Sequence, residues 1–127
     1  MKVIVEFKKN IIENGIKNVE LNFTTNGMYI NRTLTFVDNE KQINTVTINF
    51  AEVIIERKST TTSKLILKNK NKTNYDLNTP YGKMSLDIYT NELIINKDSI
   101  YVIYQIVDDV ETSKLHELQI TFKELNK

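Results

Sequence analysis

The chain has 127 residues, with 17 Lys and Arg against 16 Asp and Glu, for a net charge of +1. Near-neutrality gives no general attraction to nucleic acid or to an anionic membrane, because both are recognised largely through their phosphates. Cysteine is absent, which excludes a disulfide scaffold, a thiolate metal site and a Cys nucleophile.

Alternation with period two begins at once. Val3, Val5 and Phe7 share one parity, with Lys2, Glu6 and Lys8 on the other, the pattern of a strand with one face on a core. Glu6 and Lys8 also break any signal-peptide core. No stretch approaches the ~20 apolar residues of a membrane-spanning helix, so a cytoplasmic location is expected. Glu13-Asn14-Gly15 predicts a hairpin turn, since Asn and Gly tolerate positive φ. Val19, Leu21 and Phe23 predict the returning strand. Asn31-Arg32 predicts a tight turn between Met28–Ile30 and Thr33–Val37, which leaves Arg32 exposed. Asp38-Asn39-Glu40 and Phe50-Ala51-Glu52 predict turns on either side of a strand carrying Val46, Ile48 and Phe50 on its inner face.

Val53 and Ile55 predict the next strand, and Leu65 and Leu67 the one after it. Lys68 to Asn74 is rich in Lys and Asn and reads as a solvated hairpin loop. It lacks the interleaved aromatic residues of a base-stacking platform. Thr79-Pro80-Tyr81-Gly82 predicts a type I turn, with Pro presetting φ at the second position and Gly favoured at the fourth. Met84, Leu86 and Ile88 predict an inner face opposite Lys83, Ser85 and Asp87. Ile100 to Val107 is apolar on both faces, so its outer face calls for a cover: the N-terminal segment, or a second protomer in a homodimer. Asp108-Asp109-Val110-Glu111 predicts an exposed acidic turn. Thr112 to Leu118 is the best helix candidate, and it is short. Leu118, Ile120 and Phe122 predict the last strand.

About ten short strands with hairpin-length connections predict one all-β domain, residues 1–127, built as an antiparallel sandwich or barrel. A barrel leaves no unpaired edge. The chemistry expected of it is sparse. A single His cannot form a metal-binding cluster. Three scattered Gly make no phosphate loop, and no Gly-x-Ser-x-Gly elbow is present. No catalytic residue, metal or cofactor is therefore expected. His116 shares the parity of Leu118, Ile120 and Phe122. That parity places it at a strand start near a barrel rim, satisfied by its neighbours or acting as a base or ligand contact. Arg57 is more informative. It follows Val53 and Ile55 on the inward parity, whereas the lysines of the clear strands keep to the polar side. An inward Arg needs an internal carboxylate, a place at the mouth or an anion to hold.

The run Thr79 to Met84 resembles the YwiB-like family of small bacterial β-barrel domains of unknown function. Tyr75, Thr79, Pro80, Tyr81, Gly82, Met84 and Leu86 match its aromatic residue, its Thr-Pro-Tyr-Gly or Met-Pro-Phe-Gly turn and its alternating strand. Thr25-x-Gly27 followed by Tyr29, the stretch from Thr45 to Arg57, and Tyr104 extend the resemblance over residues 17 to 124. The chain departs from the pattern at Phe36 and Asp38, at Ser59 where Gly is frequent, and at Glu117 where Asn is common. The resemblance implies an up-and-down, calycin-like or lipocalin-like barrel of about eight to ten strands, and it implies no activity.

Fold-level analogy then suggests a small anionic or amphipathic ligand in or at the mouth of the barrel. The candidate contacts are Arg57, Tyr75, Tyr81, Tyr104 and His116, with Thr79, Pro80 and Gly82 as a structural turn. An interior plugged by Phe7, Phe23, Phe50, Met84 and Phe122 would leave no room for such a ligand. The alternative is an interaction barrel that works through its outer surface as a homodimer along Ile100 to Val107.

Overall fold

The computed structural model describes residues 1–107 and 114–125. It contains ten strands: β1 (Lys2–Glu13), β2 (Ile16–Ile30), β3 (Thr33–Val37), β4 (Ile43–Asn49), β5 (Glu52–Lys58), β6 (Thr62–Lys68), β7 (Lys72–Thr79), β8 (Gly82–Ile95), β9 (Ser99–Ile106) and β10 (Leu115–Glu124). Each strand pairs with its neighbours in sequence, and β1 closes the ring on β10 in antiparallel register. The result is a closed antiparallel barrel, consistent with the calycin-like architecture that the family resemblance implies. No helix among the described residues is long and apolar enough to cross a membrane.

The turns follow from local chemistry. Asn14 and Gly15 both have positive φ, as the predicted hairpin requires. Asn31 and Arg32 form a second such turn, at φ 51° and 62°. At Thr79-Pro80-Tyr81-Gly82, Tyr81 stays out of the left-handed region, as a type I turn demands. The Thr79 hydroxyl caps this turn, accepting from the Tyr81 N–H at 3.1 Å and donating to the Gly82 carbonyl at 3.0 Å. The Lys- and Asn-rich stretch is the exposed β6–β7 connection running into the start of β7.

The two ends of the ring differ. The turns β2–β3, β4–β5, β6–β7 and β8–β9 surround one end, the base. The lower interior is filled by buried apolar side chains, among them Leu34, Val46, Val53, Leu67, Ile100 and Ile120. The other end is the mouth. Here β2 and β8 each outrun one neighbour, while β1 stays paired with β10 up to Ile12 and β7 with β6 up to Asn78. β3 meets β2 only along Gly27–Ile30, and β9 meets β8 only from Ile88 onward. Above those points, among the described residues, β2 pairs only with β1 and β8 only with β7.

Two β-bulges change which side chains face inward. Between Lys9 and Asn10 the register on β2 jumps from Leu21 to Val19, so Glu20 is the extra residue. A bulge breaks the period-two alternation, and Val19 is consequently 64% exposed on the outer wall rather than in the core. The other bulge is on β8 between Thr90 and Glu92.

The structure corrects several expectations. Phe50 does not plug the barrel: it occupies the two-residue turn between the paired Asn49 and Glu52, and is 96% exposed. Met84 pairs with Leu77 on the stretch of β8 that β9 does not reach, and is also exposed. The N-terminal segment does not cover β9, because it is itself the wall strand β1. The segment proposed as a helix is strand from Leu115 onward, and its first residues and Asp108 to Glu111 lie outside the described residues.

Candidate functional site

A cavity of about 290 Å³ opens at the mouth. Its apolar surface comes from Phe7, Phe23, Ile55, Leu65, Tyr75 and Tyr104. The strands supply these side chains from one parity each, so the ring converges them without any loop. Phe7 and Phe23 are register partners on β1 and β2, stacked at 5.0 Å with a 14° interplanar angle. Phe36 lies 6.1 Å from both, and these three rings separate the cavity from the filled base.

The polar wall is built around Asp38, whose side chain is 2% exposed. It stands at the end of β3, where the chain turns into β4. Its Oδ1 accepts from the backbone N–H groups of Glu40 and Gln42 at 2.9 and 3.0 Å. Its Oδ2 accepts from Asn44 Nδ2 at 2.9 Å and from Arg57 Nη2 at 2.8 Å. Burial works against the charged carboxylate, but these four donors outweigh it and hold the pKa below the ordinary Asp value. A carboxylate so fully occupied is a poor general base. It serves to fix Arg57, whose guanidinium also comes within 3.9 Å of Glu40.

The inward Arg of the sequence pattern therefore has its internal carboxylate and lines the cavity at the same time. Tyr75 and Tyr104 share that cavity. His116, the register partner of Tyr104, stacks on its ring at 4.9 Å and 10° but does not line the cavity. Burial raises the Tyr104 phenol pKa, which keeps the hydroxyl protonated and able to donate. Tyr81 is not brought to this site: it stands at the tip of the β7–β8 hairpin, 99% exposed.

Sequence reasoning missed Lys9, Glu20 and Asn44. Lys9 keeps the inward parity of Val3, Val5 and Phe7 and lines the cavity with Glu20, which it meets at 3.2 Å. This breaks the expectation that strand lysines stay on the polar side, and the parity of Lys9 itself was the available signal. The parity of Asn44 with Val46 and Ile48 likewise marked it as inward; it is buried against Asp38. Glu20 enters only through the bulge. Among the described residues, no three His, Cys, Asp or Glu are grouped as a metal ion would need.

A family model for a domain of unknown function, DUF1934, matches residues 5–120. The chain belongs to this family. Its fold is similar to that in the crystal structure of the ywiB protein from Bacillus subtilis, with a TM-score of 0.75 and 16% identity, covering 98% of this chain and 92% of that one. No curated protein matches the chain.

Three positions singled out by the family resemblance acquire a physical meaning here. A Cβ at Gly27 would sit 2.8 Å from the Thr35 carbonyl oxygen and 2.9 Å from Val5 Cγ2. The Thr-x-Gly stretch thus marks where β2 is pressed between β1 and β3. The departures Asp38 and Glu117 are both buried carboxylates. Glu117 faces the outer wall, where it accepts from Asn10 Nδ2 at 2.8 Å and Tyr101 Oη at 2.5 Å, and pairs with Lys17 at 3.0 Å. Burial opposes its charge, yet the bonds from Tyr101, Asn10 and Lys17 bring its pKa down to about 2. The Tyr101 pKa is pushed up to about 12 by burial and by that carboxylate.

Proposed function

We propose that this chain is a non-catalytic barrel that binds a small amphipathic molecule at its mouth. The observation that carries the reading is the cavity itself. It couples an aromatic surface from Phe7, Phe23, Tyr75 and Tyr104 to a fixed polar wall of Asp38, Asn44 and Arg57. Its volume, about 290 Å³, is at the small end for ligand sites. The lining carries two cations, Lys9 and Arg57, against the carboxylates of Glu20, Asp38 and Glu40. Both cations are already paired, so the wall offers hydrogen bonds rather than net positive charge. An apolar ring or short chain against Phe7 and Phe23, with an uncharged polar head toward Arg57, fits best. The absence of cysteine suits a cytoplasmic setting for such a protein.

Native mass spectrometry of the chain purified from its own host tests this reading. The expected result is a co-purifying small molecule on the wild type that is lost from Ser63→Trp, which fills the cavity from its rim. A wild-type chain that carries nothing, and that also leaves the fluorescence of an apolar dye unchanged, would overturn it.

A second reading draws on the outer wall. Ile94 is exposed there and is the register partner of Tyr101, with Ile103 two residues along β9. This strip supports a homodimer through Ile100 to Val107. Sedimentation at high micromolar concentration should then show a dimer that Ile103→Lys dissociates; a monomer at all concentrations would sink the idea.

A further inference from the structure

The base of the barrel carries a second cleft, of about 670 Å³, between the β2–β3 and β8–β9 turns. Its floor is apolar. Tyr29 and Phe122 meet there with ring centroids 4.8 Å apart, flanked by Ile95. Arg32, Lys97 and Lys123 line it, against the carboxylates of Asp98 and Glu124. Among the described residues none of these three cations is in an ion pair, whereas both cations lining the mouth cavity are.

Arg32 is held there at the expense of its own turn. It sits at φ 62°, the second residue of a turn that Asn-Gly would form without strain. Its Nε donates to the Ile48 carbonyl at 2.7 Å, which lays the side chain back along the base. A guanidinium anchored through Nε keeps further donors for an oxyanion. Unpaired cations over an apolar floor recognise a molecule with a negative head and a hydrocarbon body.

We infer that the base cleft is a second binding site, distinct from the mouth, for a soluble anionic amphiphile, with Arg32 as the principal contact to its carboxylate or phosphate. The purified full chain should be titrated by calorimetry with decyl phosphate below its aggregation concentration, and in parallel with decanol, inorganic phosphate and phosphatidylglycerol vesicles. The expected result is binding of decyl phosphate about tenfold or more tighter than decanol or phosphate alone. Amide NMR shifts should then appear at Arg32, Tyr29 and Lys97 and spare Arg57 and Tyr75. Arg32→Gly relieves the turn, so it should raise the melting temperature while weakening decyl phosphate about tenfold. Equal affinity for decanol, equal affinity for inorganic phosphate, shifts at the mouth, or unchanged affinity in Arg32→Gly would each overturn the inference. So would binding to the vesicles with none to the monomeric amphiphile.

Discussion

At the mouth, Lys9 and Arg57 each meet a carboxylate, and Asp38 has all its acceptors engaged. At the base, the interior is closed by apolar side chains and the charges lie outside it, with Arg32, Lys97 and Lys123 unpaired among the described residues. One ring of strands has thus been stabilised in two ways. The base relies on burial, which is insensitive to pH. The mouth half relies on buried carboxylates that stay charged through their donors, which makes it sensitive to acid while leaving space between its rings.

Truncating Phe36, which is fully packed beneath the cavity, should have the largest effect. Phe36→Ala is expected to cost about 3–5 kcal/mol in urea unfolding. Phe23→Ala removes a ring that already borders empty space and should cost about half that. Equal losses would show that the mouth is as tightly packed as the base.

Acid should separate the halves further. Glu117 is held at about 2 against an ordinary value of 4.5, and Asp38 is also lowered. A depressed carboxylate stabilises the fold above its unfolded pKa, and that contribution is lost as pH falls through the folded value. Wild-type stability should therefore drop between about pH 5 and pH 2, by roughly 2–3 kcal/mol from Glu117. Glu117→Gln should start lower at pH 7 and show a shallower decline. A wild-type profile flat down to pH 2 would remove the distinction.

Asp38→Asn leaves Arg57 facing only Glu40, and should cost about 2 kcal/mol at neutral pH. Partial exposure of the guanidinium keeps this below the loss for a fully buried pair. The smallest change is a gain. Ala51 is at φ 61° in the β4–β5 turn, and Ala51→Gly should raise stability by about 0.5–1 kcal/mol. No change there would mean that the turn carries no strain.

The base half was largely legible from the sequence. Val3 with Val5, Val46 with Ile48, and Ile120 with Phe122 alternate without interruption, and each set is buried. The mouth was less so, because its wall depends on interruptions. The bulge at Glu20 sends Val19 outward and brings Glu20 to the cavity, and no local residue pattern announces it. Arg57 was visible as an inward cation, but its partner is 19 positions away at a strand end, where parity gives no prediction. Phe50 and Met84 shared a parity with core residues, but Phe50 lies in a turn beyond the last β4–β5 pair and Met84 on the stretch of β8 that β9 does not reach.

The seam between β1 and β10 matters before the molecule is ever folded. Val3 pairs with Glu124, so the ring cannot shut until β10 has been made. Until then the nascent sheet has two open edges, one on β1 and one on whichever strand was last to join. Such edges invite pairing with other chains, and closing the longest loop comes last and slowly. Synthesis is therefore the interval in which this barrel is most exposed to aggregation, and the arrival of β10 ends it.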